Sequence, residues 1–256
     1  MNGLNGKVAI VTGGGSGIGE AIVLRLAHEG CKVALFDINE QAGQSVVEKA
    51  KNENATGSVS VFLTDITSLE NVEASVDAVE KELGPIWMMV NNAGWDKPAP
   101  FLSTGEDLWD KIIKLNLYGP IHMHAAVCKR MAERNEGRVV NIASDAGRVG
   151  TSNEAVYSAC KGGTIAFSKS MARELARNNI LVNAVCPGPT DTPAMDAVVG
   201  TGEDAKKWKD SMARGIPLRR MAQPNDYPGI IAFLGSDDAG YITGQAISVS
   251  GGLSMS

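Results

Sequence analysis

Short runs of apolar residues recur along the chain, and most of them are continuous rather than alternating with polar residues. Continuous apolar runs are typical of strands buried on both faces of a sheet, whereas alternation indicates a strand with one solvated face. These runs therefore predict buried parallel strands at residues 8–11, 33–36, 59–62, 86–90, 138–142, 181–185 and 246–249.

The segments between these runs carry apolar residues at helical spacing. They predict helices over residues 17–29, 39–53, 68–83, 106–133 and 154–178. Strands that alternate with helices favour a doubly wound α/β architecture, in which helices cover both faces of a parallel sheet. No linker, repeat or low-complexity segment interrupts the alternation, so we expect one domain over residues 1–256. Residues 187–223 break the pattern, and we expect residues 189–220 within them to form a substrate lid.

The composition excludes several classes of protein. Hydrophobic residues make up 44% of the chain and charged residues 21%, as in an ordered globular protein. The net charge of -5 and the lack of a basic block argue against nucleic acid as a partner. The sequence contains no run of about 18 apolar residues, so we expect no membrane span, and the N-terminus lacks the pattern of a signal peptide.

Four cysteines are scattered through the chain, with no Cys-x-x-Cys pair and no histidine at metal-ligand spacing. This spacing favours reduced thiols in a cytoplasmic protein without a metal site, and two disulfides are the alternative. The cysteines are Cys31, Cys128, Cys160 and Cys186.

A glycine-rich turn at residues 12–19 follows the first predicted strand and opens the first predicted helix. Gly13 would allow the tight turn, Gly17 would let the backbone approach a pyrophosphate, and Gly19 would let helix and strand pack closely. Phosphates would bind the helix N-terminus, where free N–H groups and the helix dipole favour anions. The alternative is a loop without a ligand. The predicted contacts are Gly13, Ser16, Gly17, Ile18 and Gly19.

Asp37 ends the second predicted strand and lies 18 residues after Gly19. A carboxylate at this position accepts hydrogen bonds from the adenosine ribose and repels a 2′-phosphate. Ile38 and Asn39 supply no cation to neutralise such a phosphate, and neither does Ser16. We therefore expect NAD rather than NADP; a helix N-cap is the alternative role for Asp37.

The ends of the third and fourth predicted strands carry further candidate cofactor contacts. Asp65 can accept a hydrogen bond from an adenine amino group, and a loop or cap aspartate is its alternative. Asn91 is interpreted as a tie between strands, whereas the three residues after it are expected to face the cofactor. The predicted contacts are Asp65, Ile66, Asn92, Ala93 and Gly94.

Tyr157 and Lys161 lie four residues apart on a predicted helix, so their side chains share one face. A nearby cation favours phenolate and would lower the pKa of the tyrosine, as a base for an alcohol proton requires. Ser144, just past the fifth predicted strand, would hold the substrate oxygen. Asn116 lies three residues before the pair Gly119-Pro120, which would disturb the hydrogen bonds of the helix. The Asn116 carbonyl would then be free to bind a water that relays protons from Lys161. The alternatives are a core tyrosine, a capping serine and a surface asparagine.

These motifs, in this order, resemble the short-chain dehydrogenase/reductase family over essentially the whole chain. The resemblance implies a Rossmann-type sheet with Tyr157 as acid and base. It implies that Lys161 binds the nicotinamide ribose, Ser144 polarises the substrate oxygen and Asn116 anchors the relay water. It also implies a homotetramer built on the two long helices and the C-terminal segment. Further implied cofactor contacts are Tyr157, Lys161, Pro187, Gly188, Thr190 and Thr192.

Four longer segments, at residues 91–96, 142–146, 185–192 and 235–240, resemble a narrower group within the family. That group uses NAD to oxidise a ring β-hydroxyacyl-CoA, such as 2-hydroxycyclohexanecarboxyl-CoA, during anaerobic breakdown of alicyclic and aromatic acids. The alternatives are a 3-oxoacyl-[acyl-carrier-protein] reductase, which would prefer NADP, and a dehydrogenase of another small alcohol or sugar. A catalytically silent NAD-binding subunit is the alternative outside enzymes.

The substrate pocket is expected over the nicotinamide, at the carboxyl edge of the sheet. Trp95 and Val149 are candidate walls, and Met195 would add an apolar wall from the lid together with Trp208 and Met212. Arg148 is expected to meet a CoA phosphate or the thioester. A core position for Trp95 and a salt bridge for Arg148 are the alternatives. The histidines, His28, His122 and His124, are interpreted as structural.

Overall fold

The computed structural model describes residues 1–255, and its centre is one parallel sheet of seven strands in the order β3-β2-β1-β4-β5-β6-β7. This confirms the predicted doubly wound α/β fold. Every residue of β1, β4 and β5 is buried, which explains their continuous apolar pattern. The strands are β1 Val8–Thr12, β2 Lys32–Asp37, β3 Ser58–Leu63, β4 Ile86–Asn91, β5 Gly137–Ile142, β6 Ile180–Pro187 and β7 Ala246–Val249.

Helices cover both faces of the sheet. Apolar side chains of α1, α2 and α10 pack on one face, and those of α3, α5 and α7 pack on the other. The helices are α1 Gly17–His28, α2 Glu40–Asn52, α3 Leu69–Glu82, α4 Glu106–Ile113, α5 Gly119–Arg134, α6 Ala146–Val149, α7 Ala155–Leu175, α8 Pro193–Val199, α9 Glu203–Gly215 and α10 Pro228–Gly235.

The helix predicted over residues 106–133 is divided in two by a π-helical turn, Lys114–Tyr118. Pro120 lies at the start of α5, where it has no N–H to donate to the preceding turn. The sequence therefore located the disturbance correctly, and the resulting turn carries Asn116 at its centre.

The predicted lid contains two helices, α8 and α9, that the apolar pattern did not predict. α8 is a short helix without a buried residue, whereas α9 is rich in charged residues and buries Ala205. The amine of Lys209 on α9 lies 2.6 Å from carboxylate oxygens of both Asp191 and Asp196. Ion pairs thus connect α9 to the residues at the start of the predicted lid.

Buried polar residues tie the central strands together. The Asn91 amide donates to Asn141 Oδ1 at 2.7 Å, as expected for a tie between strands. A ring nitrogen of His124 lies 3.2 Å from the same oxygen, and burial lowers the pKa of His124 to about 4. All four cysteines are buried free thiols. Over residues 1–255, no helix has the length and apolar character needed to cross a bilayer.

Candidate active site

The glycine-rich turn joins β1 to α1 through positions that only glycine fits. Gly13 and Gly17 have positive φ angles of 62° and 55°, which L side chains rarely adopt. A Cβ on Gly13 would lie 2.9 Å from Ala93 Cα, and a Cβ on Gly19 would lie 2.0 Å from the Gly13 carbonyl oxygen. At Gly13 and Gly19 the backbone is packed so closely that no Cβ fits, and the turn therefore lies tightly against the ends of β1 and β4.

The N-terminus of α1 suits an anion. Ser16 occupies the N-cap position, but its side chain makes no capping hydrogen bond to the first turn. The first N–H groups of α1 therefore have no partner in the Ser16 side chain, and together with the helix dipole they favour an anion. Thr192 lies over the turn, because a Cβ on Gly17 would be 3.6 Å from its methyl carbon. The turn, the uncapped helix end and the close backbone packing fit the pyrophosphate of a dinucleotide.

Asp37 lies at the end of β2, directly against the turn. One carboxylate oxygen accepts from Gly15 N at 2.9 Å, and the other accepts from Asn39 N at 2.9 Å. The N-cap of α2 is Asn39, whose side chain accepts from Ala42 N. The alternative that Asp37 is the helix cap is therefore wrong.

Three of the predicted cofactor contacts also have partners within the protein. One carboxylate oxygen of Asp65 accepts from the backbone and hydroxyl of Thr67, at 2.9 and 2.7 Å. The side chain of Ile66 is buried in the core. The Asn92 side-chain amide donates to the carbonyls of Thr12 and Gly13 at 3.0 and 3.1 Å and so holds the turn in place.

The segment after β6 also has partners within the protein. Pro187 is buried at the strand end, and Gly188 packs so closely that a Cβ would lie 2.8 Å from Ser250 Cβ. The Thr190 hydroxyl is 2.5 Å from the Tyr227 hydroxyl, which gives it a structural role. Thr192 caps α8 by accepting from Met195 N at 3.2 Å.

Tyr157, Ser144 and Lys161 meet at the carboxyl edge of β5. The Ser144 side chain lies close enough to the Tyr157 hydroxyl to offset part of the rise in its pKa that burial causes, and Ser144 Oγ accepts from Ala146 N at 3.1 Å. Lys161 is buried; its amine lies 5.5 Å from the centre of the Tyr157 ring and donates to the Ile142 carbonyl at 2.9 Å. The structure thus brings together three of the four predicted catalytic residues, and these three form a triad.

The expected lowering of the Tyr157 pKa is wrong in this structure. Burial raises the pKa of the phenol, and the charge of Glu154 raises it further, whereas the nearby Ser144 side chain lowers it. Burial also lowers the pKa of Lys161 to about 8, so the amine remains mostly charged at pH 7 and loses its charge as the pH rises above 8. The phenol is therefore protonated at neutral pH.

Asn116 is fully buried in the π-helical turn, so it is not a surface residue. Its side-chain amide donates to the carbonyls of Trp95 and Ile112 at 2.7 and 2.9 Å. Its own backbone carbonyl, predicted to be free for a relay water, accepts a long hydrogen bond of 3.4 Å from Thr164. The Asn116 side chain faces Lys161 across Gly94, where a Cβ would lie 2.8 Å from Asn116 Oδ1 and 3.3 Å from the Lys161 amine.

The four predicted substrate contacts differ in their surroundings. Arg148 donates to the Ala246 carbonyl of β7 at 2.8 Å. Val149 is 66% exposed, and Trp95 is 43% exposed instead of packing in the core. Met195 lies half-buried on α8. None of these four residues lines the cavity beside Tyr157.

That cavity has walls that the sequence did not suggest. Asp96 and Glu154 line it together with Tyr157, and the apolar lining includes Trp109 and Phe101. Glu154 is the residue directly before α7 and lies three positions before Tyr157, so its nearness to the tyrosine in sequence was available as a signal. Asp96 comes from the β4–α4 connection, and no local pattern links it to the others.

Comparisons with known proteins agree with this geometry. The family model described as Enoyl-(Acyl carrier protein) reductase matches residues 13–254. The chain is 39% identical to an acetoacetyl-CoA reductase of Shinella zoogloeoides, over 96% of this chain and 98% of that protein. It is 36% identical to the 3-oxoacyl-[acyl-carrier-protein] reductase FabG of Thermotoga maritima, over 98% of each chain.

Solved structures of similar proteins include both nicotinamide cofactors. NAD+-bound xylitol dehydrogenase superposes with a TM-score of 0.91 and 35% identity, covering 98% of this chain and 100% of that one. A single-residue variant of the actinorhodin polyketide ketoreductase with NADPH superposes with a TM-score of 0.90 and 34% identity, covering 99% of both chains. The fold is therefore that of proteins that bind nicotinamide dinucleotides.

Proposed function

The chain belongs to the short-chain dehydrogenase/reductase family, and we propose that it uses NAD to oxidise a ring β-hydroxyacyl-CoA to the β-ketoacyl-CoA. The observation that carries this proposal is the meeting of Tyr157, Ser144 and Lys161 beside the glycine-rich turn. The substrate class rests on the longer segments that resemble 2-hydroxycyclohexanecarboxyl-CoA dehydrogenase. An apolar cavity wall beside Tyr157 suits such a ring.

Each residue of the triad has a distinct part in the proposed reaction. A bound nicotinamide supplies the hydride acceptor, and the glycine-rich turn with the N-terminus of α1 would hold its pyrophosphate. Ser144 holds the substrate hydroxyl, and Tyr157 in its phenolate form takes the hydroxyl proton while the carbinol hydride leaves for the nicotinamide and the carbonyl forms. Lys161 lies beside the tyrosine, where it would bind the nicotinamide ribose. Because burial raises the pKa of Tyr157, oxidation is expected to accelerate as the pH rises.

A substrate panel tests the reaction. We expect NADH to form, measured by absorbance, when the protein and NAD are mixed with 2-hydroxycyclohexanecarboxyl-CoA. Linear β-hydroxyacyl-CoA thioesters and sugar alcohols are expected to react more slowly, because they fill the apolar side of the cavity less completely. Tight NAD binding without oxidation of any alcohol would instead favour the catalytically silent subunit.

The preference for NAD depends on Asp37. Its carboxylate stands at the end of β2 against Gly15, where it would accept from the ribose hydroxyls and repel a 2′-phosphate. The variant Asp37→Ser is expected to raise the ratio of kcat/KM for NADP to that for NAD by about tenfold or more, since a like-charge repulsion is removed. A wild-type protein that already prefers NADP would contradict the proposal.

A second candidate is reduction of a 3-oxoacyl group carried on acyl carrier protein. Similarity to the FabG reductase favours it, and so does the protonated Tyr157, which suits donation of a proton to a ketone. Comparing acyl carrier protein with CoA as the carrier separates the two candidates.

We also propose a homotetramer, a cytoplasmic location and a lid over residues 189–220. The exposed apolar side chains of Leu253 and Met255 support a C-terminal interface.

A further inference from the structure

The cavity beside Tyr157 has a rigid apolar wall. The rings of Phe101 and Trp109 are stacked, with centroids 5.2 Å apart and planes within 8° of parallel. The Trp109 indole donates to the Thr104 hydroxyl at 2.8 Å, which fixes the orientation of the ring and satisfies its polar atom. Leu108 and Ile112 of α4 extend this wall. This side of the cavity therefore presents an apolar, uncharged surface next to Tyr157.

The other wall of the same cavity is acidic. Asp96 and Glu154 both line it, and one carboxylate oxygen of Asp96 is buried without a hydrogen-bond partner among residues 1–255. Burial raises the pKa of Asp96. Burial and the charge of Asp96 raise the pKa of Glu154 to about 7, against a hydrogen bond from Thr151 that lowers it. Lys97 also lines the cavity, but within the described chain neither carboxylate has an ion-pair partner at 4.0 Å or less.

We propose that Asp96 and Glu154 make this cavity selective for uncharged substrates and exclude those with a free carboxylate beside the reacting carbon. In a β-hydroxy acid the carboxylate carbon is two bonds from the carbinol carbon. Asp96 and Glu154 line the cavity with Tyr157, and besides burial their charges both raise its pKa, so a molecule whose hydroxyl reaches Tyr157 brings its carboxylate into the same negative field. A thioester places a neutral carbonyl there, so repulsion by partly buried carboxylates discriminates between the two. This proposal rests on the proposed function and defines its substrate class further.

The test compares a matched pair of substrates, the methyl ester and the free acid of 2-hydroxycyclohexanecarboxylate. The readout is the ratio of kcat/KM for the acid to kcat/KM for the ester, in which a general loss of activity cancels. The Asp96→Asn/Glu154→Gln double variant is expected to raise this ratio by about tenfold or more, because two like charges are removed. Each single variant is expected to raise it by about threefold and carries the test if the double variant does not fold.

The control is Glu106→Gln, which removes an exposed charge from the first turn of α4 outside the cavity lining. We expect it to leave the ratio unchanged. An unchanged ratio in the double and single variants, or an equal rise in Glu106→Gln, would overturn the proposal.

The pH dependence of the acid-to-ester ratio supplies a second readout, which would not change on substitution if Glu154 had only a structural role. In the wild-type protein the acid-to-ester ratio is expected to rise as the pH falls from 8 to 6, because Glu154 gains a proton near pH 7. Lys161, whose pKa is about 8, also gains charge over this range and contributes to the rise in both proteins. The Glu154→Gln variant is therefore expected to lose the part of the rise centred near pH 7, and a profile identical to that of the wild-type protein would contradict the assignment. The titration of Tyr157 affects both substrates alike and cancels in the ratio.

Failure of the proposed function gives a different result. In that case the wild-type protein oxidises neither the thioester nor the ester. Charge selectivity is then measured on whichever alcohol it does oxidise, as inhibition by cyclohexanecarboxamide against inhibition by cyclohexanecarboxylate. We expect the amide to inhibit more strongly and the double variant to narrow the difference; equal inhibition of the wild-type protein would overturn the proposal.

Discussion

Replacement of Tyr157 by phenylalanine is expected to lower kcat by about 10²–10⁴-fold, the usual contribution of a positioned acid or base. The variant loses the one hydroxyl that can take the alcohol proton beside Ser144, while the ring still fills its place next to Lys161. Initial rates of NADH formation measure the loss. Affinity for NADH, measured by fluorescence titration, is expected to stay close to that of the wild-type protein.

The matched control is Tyr241→Phe, because Tyr241 is fully exposed and lies outside the cleft. It is expected to keep wild-type rates. A Tyr157→Phe variant that retained a rate within about tenfold of the wild-type rate would show that another group moves the proton, since even a weak general base contributes more. A loss of NADH affinity equal to the loss of rate would show that the tyrosine acts mainly in cofactor binding.

The roles of Tyr157 and Lys161 illustrate where local sequence reasoning ends. Their spacing on one helix correctly predicted that the two side chains would be neighbours, because helical geometry fixes that relation. Their protonation depends instead on what the rest of the fold places around them. Burial opposes charge on both groups, and Glu154 adds a negative charge next to the phenol, so the pKa shift is opposite to the expected one.

The fold itself was accessible from the sequence, since the continuous apolar strands permit few arrangements other than a sheet covered on both faces. Helices α8 and α9 were not predicted, because α8 is only seven residues long and α9 is dominated by charged residues, and the contacts of Lys209 with Asp191 and Asp196 that connect them form only in the tertiary structure. The acidic wall was missed for a related reason. Asp96 and Glu154 belong to different connections, and only the tertiary structure brings them to one cavity.

Substitution of Gly19 by alanine is expected to weaken NAD binding by more than about tenfold and to destabilise the protein by about 1–3 kcal/mol or more, as overpacking does. Gly19 lies in α1, where the higher helix propensity of alanine alone would stabilise the protein by about 1 kcal/mol. The new Cβ, however, would lie 2.0 Å from the Gly13 carbonyl oxygen and 2.6 Å from the Asn92 amide nitrogen. Backbone cannot move aside as a flexible side chain can, so the phosphate-binding turn itself must shift.

Gly229→Ala is the matched control, because Gly229 also lies in a helix, α10, and its nearest outside atom is Arg25 Nη1 at 3.9 Å. There the gain in helix propensity meets no clash, so the melting temperature is expected to stay the same or rise. The same chemical change should therefore move stability in opposite directions at the two positions, as thermal unfolding would measure. Equal effects at both would contradict the close packing of α1 against the turn, and with it the reason for placing a pyrophosphate there.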